Sequence, residues 1–260
     1  MSNTTIQDKW VIISGASSGF GAAAAKLFAA NGAKLLLGAR REDRLNSTAA
    51  EATEAGSPAA LYHTLDVSKP ESVIEFAEWV STKTPKVDFL INNAGGAHGF
   101  DPVETGREED WESMMQINVL SVLRMCKAFI PKMKNNPGCM IINIGSTAGR
   151  MAYENGAAYC AAKAGELAIT RALRQELNGT DIRVGTIDPG MAETDFSMVR
   201  FKGDVARSAK VYEGVTPLTA NDVAEAMLWV ASRPAHVNID EIVMKCTDQA
   251  EFFKTHRRAV

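Results

Sequence analysis

The stretch "WVIISGASSGFGAAAAKLFAANG", residues 10–32, decides how the chain folds. Its apolar start predicts a buried strand, and its alanine-rich end predicts a helix. Between them Gly15, Gly19 and Gly21 permit a tight turn and close backbone approach, while the start of the helix offers free N–H groups to a phosphate. Because the turn joins a strand to a helix, a phosphate site is favoured over the alternative, a tight turn that binds no ligand.

Outward from this turn, short apolar runs alternate with helix-length segments along the chain. The predicted strands cover 10–14, 34–38, 60–67, 87–92, 139–145, 181–187 and 239–245. The predicted helices cover 20–31, 41–55, 70–83, 108–135, 157–177 and 220–232. Unbroken apolar strands joined by helices are typical of a parallel sheet that is buried on both faces. The pattern predicts an α/β fold, a single doubly wound (Rossmann) domain over residues 1–260 with about seven parallel strands and helices on both faces.

Composition narrows the class of protein. The chain is 46% hydrophobic and 23% charged, and its net charge is −3. A nucleic-acid surface needs a concentrated positive field, which this composition does not indicate. The four cysteines lack metal-ligand spacing, so we expect reduced thiols and no metal. No apolar run approaches the roughly 20 residues that span a bilayer, and the start of the chain lacks signal-peptide features. We expect a cytoplasmic protein without a nucleic-acid or membrane partner.

The second predicted strand continues into "LLLGARREDRL", residues 35–45. Dinucleotide sites that select NAD place a carboxylate near the end of this strand, where it holds the ribose 2′-hydroxyl. Arg40 and Arg41 occupy that position here, and a guanidinium can instead pair with a 2′-phosphate. The pattern favours NADP(H). The alternative is that both arginines are solvated residues at the start of a helix.

A set of polar residues accompanies the later strands and helices. Tyr159 and Lys163 are four residues apart on one predicted helix, so they share a face, and a neighbouring ammonium lowers the pKa of a phenol. Ser146 follows a predicted strand, at the end of the sheet where doubly wound folds bind ligands. Asn118 is a polar residue in an otherwise apolar helix. Each alone has an ordinary structural explanation, but together they predict proton exchange at a substrate oxygen.

These motifs, in this order, resemble the short-chain dehydrogenase/reductase family over nearly the whole chain. The shared motifs are "SGASSGFG" (14–21, with Ser14 where the family has Thr), "DV" (66–67), "NNAG" (92–95), Asn118, Ser146, Tyr159-x3-Lys163 and "DPG" (188–190). The Ser14 replacement keeps the hydroxyl.

The resemblance implies hydride transfer between a nicotinamide and a carbonyl or alcohol, in a homotetramer. It implies that Tyr159 exchanges the proton, that Ser146 polarises the substrate oxygen, and that Asn118 holds a water of the proton relay. Lys163 would hold the nicotinamide ribose and lower the pKa of Tyr159. The residues assigned to NADP(H) are Gly15, Ser17, Ser18, Gly19, Phe20, Gly21, Arg40, Arg41, Asp66, Val67, Asn93, Ala94, Gly95, Tyr159, Lys163, Pro189, Gly190 and Thr194.

The segment "TDFSMVRFKGD", residues 194–204, lies in a loop-like stretch within a predicted substrate lid at about 191–214. Arg200 is predicted to clamp an acidic group of the substrate, with Lys202 as a weaker candidate. The alternative for Arg200 is an ion pair with a surface carboxylate such as Asp204.

Two further side chains are candidates for substrate binding beside Ser146, Tyr159 and Arg200. Tyr153 could add a hydroxyl donor. Gln249, in a C-terminal tail at about 246–260, could reach the site of its own or a neighbouring subunit. Alternatively, Tyr153 packs within its loop and Gln249 belongs to a disordered tail.

The motifs "FSxVRFKGD" and "RPAHVNI" resemble the branch that contains NADP-dependent 3-hydroxy acid and serine dehydrogenases and the related sulfoacetaldehyde reductases. The resemblance implies a small anionic aldehyde or alcohol as substrate. Reduction of sulfoacetaldehyde to isethionate is slightly favoured over oxidation of 3-hydroxy acids such as serine and 3-hydroxypropionate. Two other functions stay open, a broad reductase of small ketones and a non-catalytic dinucleotide sensor that keeps the fold alone.

Overall fold

The computed structural model describes residues 5–259. The strands of its main sheet are β1 (Trp10–Ser14), β2 (Lys34–Ala39), β3 (Ala60–Thr64), β4 (Phe89–Asn92), β5 (Met140–Ile144), β6 (Arg183–Pro189) and β7 (Glu241–Met244). Their order across the sheet is β3-β2-β1-β4-β5-β6-β7, and all neighbouring strands are parallel. The strand order reverses between β1 and β4, and ligands bind at such points in open α/β sheets. The predicted doubly wound sheet of about seven strands is confirmed.

Helices cover both faces of the sheet. They are α1 (Gly19–Ala30), α2 (Glu42–Glu54), α3 (Pro70–Lys83), α4 (Glu108–Met115), α5 (Ser121–Met133), α6 (Ala157–Glu176), α7 (Phe196–Arg200), α8 (Val205–Tyr212) and α9 (Ala220–Ala231). A small antiparallel hairpin near the C-terminus consists of β8 (Gln249–Glu251) and β9 (Lys254–Thr255). Within residues 5–259, no helix has both the length and the apolar character that crossing a bilayer requires.

Alternate residues of the strands feed two separate cores. On β1, Val11 and Ile13 belong to the core that includes Phe28 of α1 and Met227 of α9. Ile12, between them, belongs to the opposite core, with Phe76 of α3. Each such side chain contributes about 1.5–3 kcal/mol by leaving water, so the sheet is held from both sides. This burial fixes the carboxyl ends of the strands, where the candidate site lies.

Two predicted elements differ from the structure. The predicted strand 60–67 stops at Thr64, because Asp66 accepts hydrogen bonds from the backbone N–H and the hydroxyl of Ser68 in a tight turn. The predicted helix 108–135 is divided by a π-helical turn, Gln116–Leu120, between α4 and α5. A π-helical turn changes the facing of the residues within it, and here Asn118 lies at its centre.

The lid is helical rather than loop-like. Its first half forms α7 and its second half forms α8. Asp204 caps α8 by accepting a hydrogen bond from the backbone N–H of Arg207 at 3.0 Å. The capped helix explains why this charged, proline-free segment is helical.

Candidate active site

A cavity of about 440 Å³ opens at the carboxyl ends of β1, β4, β5 and β6. The predicted site residues that line it are Gly15, Ser17, Ser18, Gly19, Phe20, Arg40, Arg41, Asp66, Val67, Asn93, Ala94, Gly95, Ser146, Tyr153, Tyr159, Lys163, Pro189, Gly190, Thr194, Arg200 and Gln249. Gly21 and Asn118 do not line the cavity and lie behind the residues that do.

The glycine-rich turn after β1 needs its glycines for two different reasons. Gly15 has a φ of +67°, a conformation that side chains disfavour. Gly21 has no room for a side chain, since a Cβ atom there would lie 2.4 Å from the carbonyl oxygen of Gly15. The Ser14 hydroxyl accepts hydrogen bonds from the backbone N–H groups of Asn93 (3.1 Å) and Ala94 (3.0 Å). The family's threonine hydroxyl is thus matched by serine, and it ties the turn to the "NNAG" segment.

Arginines surround the far end of the cavity, beyond this turn. Arg41 donates to the hydroxyls of Ser18 (2.7 Å) and Ser17 (3.2 Å), beside the start of α1. Arg40 lines the cavity, and within the described chain its guanidinium has neither a hydrogen bond nor an ion pair. Such a free fork, beside two hydroxyls, suits a phosphate ester. Asp195, at the start of α7, lies 3.4 Å from Arg44 and links the lid to this end.

Asn118 holds the backbone of the cavity wall. Its Nδ2 donates to the carbonyl oxygens of Gly96 and Met114, both at 2.8 Å, and its Oδ1 accepts from the N–H of Gly96 at 3.1 Å. The bond to Met114 lies within the distorted helix, so the π-helical turn allows Asn118 to face the sheet. A Cβ atom on Gly95 would lie 2.7 Å from Oδ1 of Asn118, which explains why this position is glycine. The expectation that Asn118 holds a water remains a prediction.

Ser146, Tyr159 and Lys163 meet at the centre of the cavity. Ser146 follows β5, and its hydroxyl accepts a hydrogen bond from the backbone N–H of Ala148 at 3.1 Å beside the phenol of Tyr159. Tyr159 and Lys163 share the buried face of α6, as their spacing predicted. Lys163 donates to the carbonyl oxygen of Ile144 at 2.6 Å. Burial lowers the pKa of Lys163, while the carboxyl groups of Glu166 and Asp188 oppose this shift.

The electrostatics of Tyr159 differ from the prediction. The lysine was expected to lower the pKa of this phenol, but burial raises its pKa. The strongest opposing effect comes from the charge of Arg200, followed by the hydrogen bond of Ser146. The guanidinium carbon of Arg200 lies 5.0 Å from the centre of the Tyr159 ring. The lid therefore influences the acidity of the candidate acid/base, which no pattern in the sequence indicated.

Arg200 projects from the end of α7 into a cage of aromatic rings. Its guanidinium carbon lies 4.8–5.8 Å from the ring centres of Phe100, Tyr153, Tyr159 and Phe196. Nη2 donates to the Tyr153 hydroxyl at 2.7 Å, and Nε is buried without a hydrogen-bond partner. No carboxylate within residues 5–259 pairs with Arg200. A cation held this way, with unused donors, is suited to an anion that enters the cavity.

The two alternative roles in the lid are resolved by the neighbours of Arg200. Asp204 caps α8 and does not pair with Arg200. Lys202 forms an ion pair with Asp110 at 2.7 Å, outside the cavity lining. Lys202 is therefore already neutralised, which agrees with its ranking as the weaker candidate.

The C-terminal tail covers the cavity of its own chain. Gln249 Oε1 accepts a hydrogen bond from the backbone N–H of Met191 at 2.7 Å, and no described residue takes the hydrogens of its Nε2. Phe252, at the tip of the hairpin, stacks on Tyr153 with ring centres 3.8 Å apart and planes 1° apart. The structure thus places Gln249 beside its own lid rather than in a disordered tail.

Several residues of the lining were missed by the motifs. They include His98, Asp195, Phe196, Tyr212 and Phe252. His98 lies in "GGAHGF", directly after "NNAGG", so its position near the site was a usable signal, and burial lowers its pKa. Phe252 carried no signal, because its contact with Tyr153 joins residues almost 100 positions apart.

Comparison with known proteins gives matches over nearly the whole chain. A profile of the family described as short chain dehydrogenase matches residues 9–204. The NADP-dependent 3-hydroxy acid dehydrogenase YdfG of Salmonella typhi is 39% identical over 241 residues, which are 92% of this chain and 96% of that protein. Sulfoacetaldehyde reductase 2 of Chromohalobacter salexigens is 39% identical over 243 residues, which are 92% of this chain and 95% of that protein. The closed form of serine dehydrogenase complexed with NADP+ superimposes with a TM-score of 0.88 at 36% identity, over 96% of this chain and 100% of that one.

Proposed function

Because the chain belongs to the short chain dehydrogenase family, we propose that it reduces a short aldehyde bearing an acidic group, or oxidises the corresponding alcohol. The protein is an oxidoreductase, and its cofactor is NADP(H). This class of activity removes the non-catalytic sensor from the alternatives. The substrate is the part that we propose.

The residues around the cavity fit NADP(H). The glycine turn and the start of α1 would hold the pyrophosphate, and Arg40 and Arg41 would hold the 2′-phosphate. The bound nicotinamide supplies or accepts the hydride. Lys163 would hold the adjoining ribose, since its ammonium faces the cavity while donating to Ile144.

The chain's own residues move the proton and hold the substrate oxygen. In the reduction, Tyr159 donates its phenolic proton to the carbonyl oxygen, and in the oxidation its phenolate takes the alcohol proton. The Ser146 hydroxyl donates a hydrogen bond to the same oxygen and so stabilises the charge that develops there. Asn118 supports this geometry by holding the backbone at Gly96.

The observation that carries the substrate class is Arg200. Its buried Nε has no partner, its charge has no carboxylate partner among residues 5–259, and it lies next to Tyr159. A hydrogen bond to a charged group contributes about 1.5–3 kcal/mol. Aromatic neighbours exclude water and strengthen the attraction. An acidic group at this point would hold the aldehyde against Tyr159 and Ser146.

Sulfoacetaldehyde, reduced to isethionate, is the substrate that we favour, with 3-hydroxy acids as the second candidate. Arg200, the Tyr153 hydroxyl and the free Nε2 of Gln249 line one cavity, and a sulfonate has three oxygens to accept from such donors. Asp66 and Asp195 are the two acidic residues of the described lining, and Asp195 is paired with Arg44. Few carboxylates face the substrate, which disfavours one with an ammonium group, such as serine.

The test compares charged aldehydes with neutral aldehydes of the same shape. Sulfoacetaldehyde is matched by 3,3-dimethylbutanal and malonic semialdehyde by 3-methylbutanal, while L-serine is assayed with NADP+. We expect kcat/KM to be about 100-fold higher for the acidic member of each pair, which corresponds to one or two hydrogen bonds to a charged group. The larger kcat/KM of the two acidic aldehydes identifies sulfonate or carboxylate.

Variants assign that preference to the lid. Arg200→Ala should remove the preference for the acidic aldehyde while the neutral aldehyde keeps most of its rate. Arg207→Ala is the matched control, because Arg207 is a lid arginine that packs on Phe201 outside the lining. An equal loss on acidic and neutral aldehydes in Arg200→Ala would refute the anion clamp and leave the broad ketone reductase.

A further inference from the structure

Glu166 is a buried acid that the proposed reaction does not use. It lies one turn after Lys163 on α6 and is 1% exposed. Its Oε2 has no hydrogen-bond partner, and within residues 5–259 no cation forms an ion pair with it. Lys163 donates to Ile144 instead, and Arg150 pairs with Asp188. A buried carboxylate without a counter-ion is costly, so this group needs an explanation.

Hydrogen bonds around Thr170 supply that explanation. Thr170 Oγ1 lies 2.8 Å from Nδ2 of Asn143, 3.0 Å from the carbonyl oxygen of Glu166 and 3.1 Å from Oε1 of Glu166. The amide of Asn143 donates to Oγ1, and the single hydroxyl hydrogen of Thr170 then has two possible acceptors, the carbonyl oxygen and Oε1 of Glu166. One hydrogen cannot serve both acceptors in two-centre bonds, so all three contacts are hydrogen bonds of this kind when Glu166 is protonated and donates to Oγ1.

We propose that Glu166 is a positioning residue that works as a neutral acid, donating its proton to Thr170 and leaving Lys163 without a counter-ion. The Glu166–Thr170 bond lies within α6, and Thr170 in turn accepts from Asn143 of β5, whose Oδ1 accepts from Nδ2 of Asn92 on β4 at 2.9 Å. Through Thr170, Glu166 would orient the hydroxyl that links the helix of Tyr159 and Lys163 to β5, the strand before Ser146, and onward to β4, which leads into the "NNAG" segment. This inference rests on the family's hydride transfer and does not depend on the acidic substrate.

The surroundings of Glu166 agree with a neutral group. The groups that face it are Lys163 on the same helix, Asp188 on β6, Arg150 beyond β5 and Cys126 on α5. Burial raises the pKa of Glu166 and outweighs the charge of Lys163, which lowers it. An ionised Glu166 would also raise the pKa of Tyr159 and so weaken the effect of Arg200.

Infrared difference spectroscopy tests the protonation state directly, without any substrate. At neutral pH, the spectrum of the wild type minus that of Glu166→Gln should contain the carbonyl stretch of a protonated carboxylic acid. Glu176→Gln is the matched control, because Glu176 ends the same helix on its exposed side and should give carboxylate bands. Carboxylate bands for Glu166 as well would overturn the proposal.

The positioning role is tested by steady-state kinetics with NADPH and the carbonyl substrate that the wild type reduces fastest. Glu166→Leu removes the donor and should lower kcat about tenfold, because small misplacements of reacting groups are costly. Glu166→Gln should restore kcat, since its amide donates to Thr170 as the acid does. Wild-type kcat in Glu166→Leu would refute the positioning role.

The pH profile separates a neutral from a charged Glu166 even if Glu166→Leu does not fold. The profiles of kcat/KM for the wild type and Glu166→Gln should superimpose. If the native group were charged, its removal would lower the pKa of Tyr159 and move the alkaline limb to lower pH. Such a shift would overturn the proposal. A finding that the enzyme does not prefer acidic aldehydes would refute the proposed substrate and leave the proposal for Glu166 intact.

Discussion

The catalytic wall, formed by Asn118, Ser146, Tyr159 and Lys163, and the lid, residues 191–214, face each other across one cavity but are built differently. Tyr159, Lys163 and Asn118 are at most 8% exposed; Lys163 donates to the backbone of β5, and Asn118 donates to the backbone of Gly96 and Met114. The lid is held by side chains, such as the Lys202–Asp110 ion pair, and leaves Val205 67% exposed. Bonds to backbone atoms thus hold the proposed proton-exchanging groups, whereas side-chain contacts such as the Arg200–Tyr153 hydrogen bond hold the group proposed to choose the substrate.

This difference teaches that the two regions should respond to mutation in different ways. Substitutions in the catalytic wall should lower kcat for every substrate, because proton exchange is common to all of them. Substitutions in the lid should change the ranking of substrates, because Arg200 is proposed to contact the acidic group that distinguishes them. Arg200 connects the two regions, since its charge also lowers the pKa of Tyr159.

The largest effect is expected from Tyr159→Phe. Loss of a general acid lowers kcat by about 10²–10⁴-fold. The ring remains to pack against Phe196, so NADPH binding, measured by fluorescence titration, should be unchanged. Turnover near that of the wild type would remove Tyr159 from its role.

At the cofactor end, Arg40→Asp should raise the KM for NADPH about 100-fold, because a charged hydrogen bond is lost and a repulsive charge takes its place. The KM for NADH, measured in parallel, should change little and serves as the internal control. Equal changes for the two cofactors would assign the 2′-phosphate to Arg41 and Ser18 alone.

A smaller effect is expected within the lid from Tyr153→Phe. The substitution keeps the ring that stacks on Phe252 and removes the hydroxyl that accepts from Arg200. Since one charged hydrogen bond is lost, the KM for the acidic aldehyde should rise about tenfold. The neutral aldehyde of the same shape should be unaffected, and an equal rise for both would show that Tyr153 only packs.

The link between the regions should appear in the pH profile of Arg200→Ala with a neutral aldehyde. Reduction needs the protonated phenol, so kcat/KM falls as pH rises through the pKa of Tyr159. Removing the cation raises that pKa, so the alkaline limb should move to higher pH. An unmoved limb would separate the lid from the proton transfer.

The smallest effect is expected from Lys202→Ala, two residues beyond Arg200. Its ion pair with Asp110 is exposed, and such pairs contribute about 0–1 kcal/mol. We expect kcat/KM for the acidic aldehyde to change less than about threefold. A loss similar to that of Arg200→Ala would show that this pair holds the lid closed.

Most of the catalytic wall was predictable because its signals are local. The strand–turn–helix pattern around Gly15, the four-residue spacing of Tyr159 and Lys163, and the position of Ser146 after a strand all follow from short-range geometry. The seven-stranded sheet followed from the same alternation of apolar runs. The end of the strand that begins at residue 60 and the break in the helix around Asn118 could not be predicted in this way. Side-chain hydrogen bonds of Asp66 and Asn118 compete there with the regular backbone pattern.

The sequence by itself determined the sheet, the glycine-rich turn and the positions of the proposed acid/base groups, because their signals lie within a few residues of each other. Only the tertiary structure decided the surroundings of Arg200. Its aromatic cage gathers Phe100, Tyr153, Tyr159 and Phe196 from separate parts of the chain. The same is true of Phe252 on Tyr153. Burial and hydrogen-bond geometry between distant segments set these features, and no local pattern encodes them.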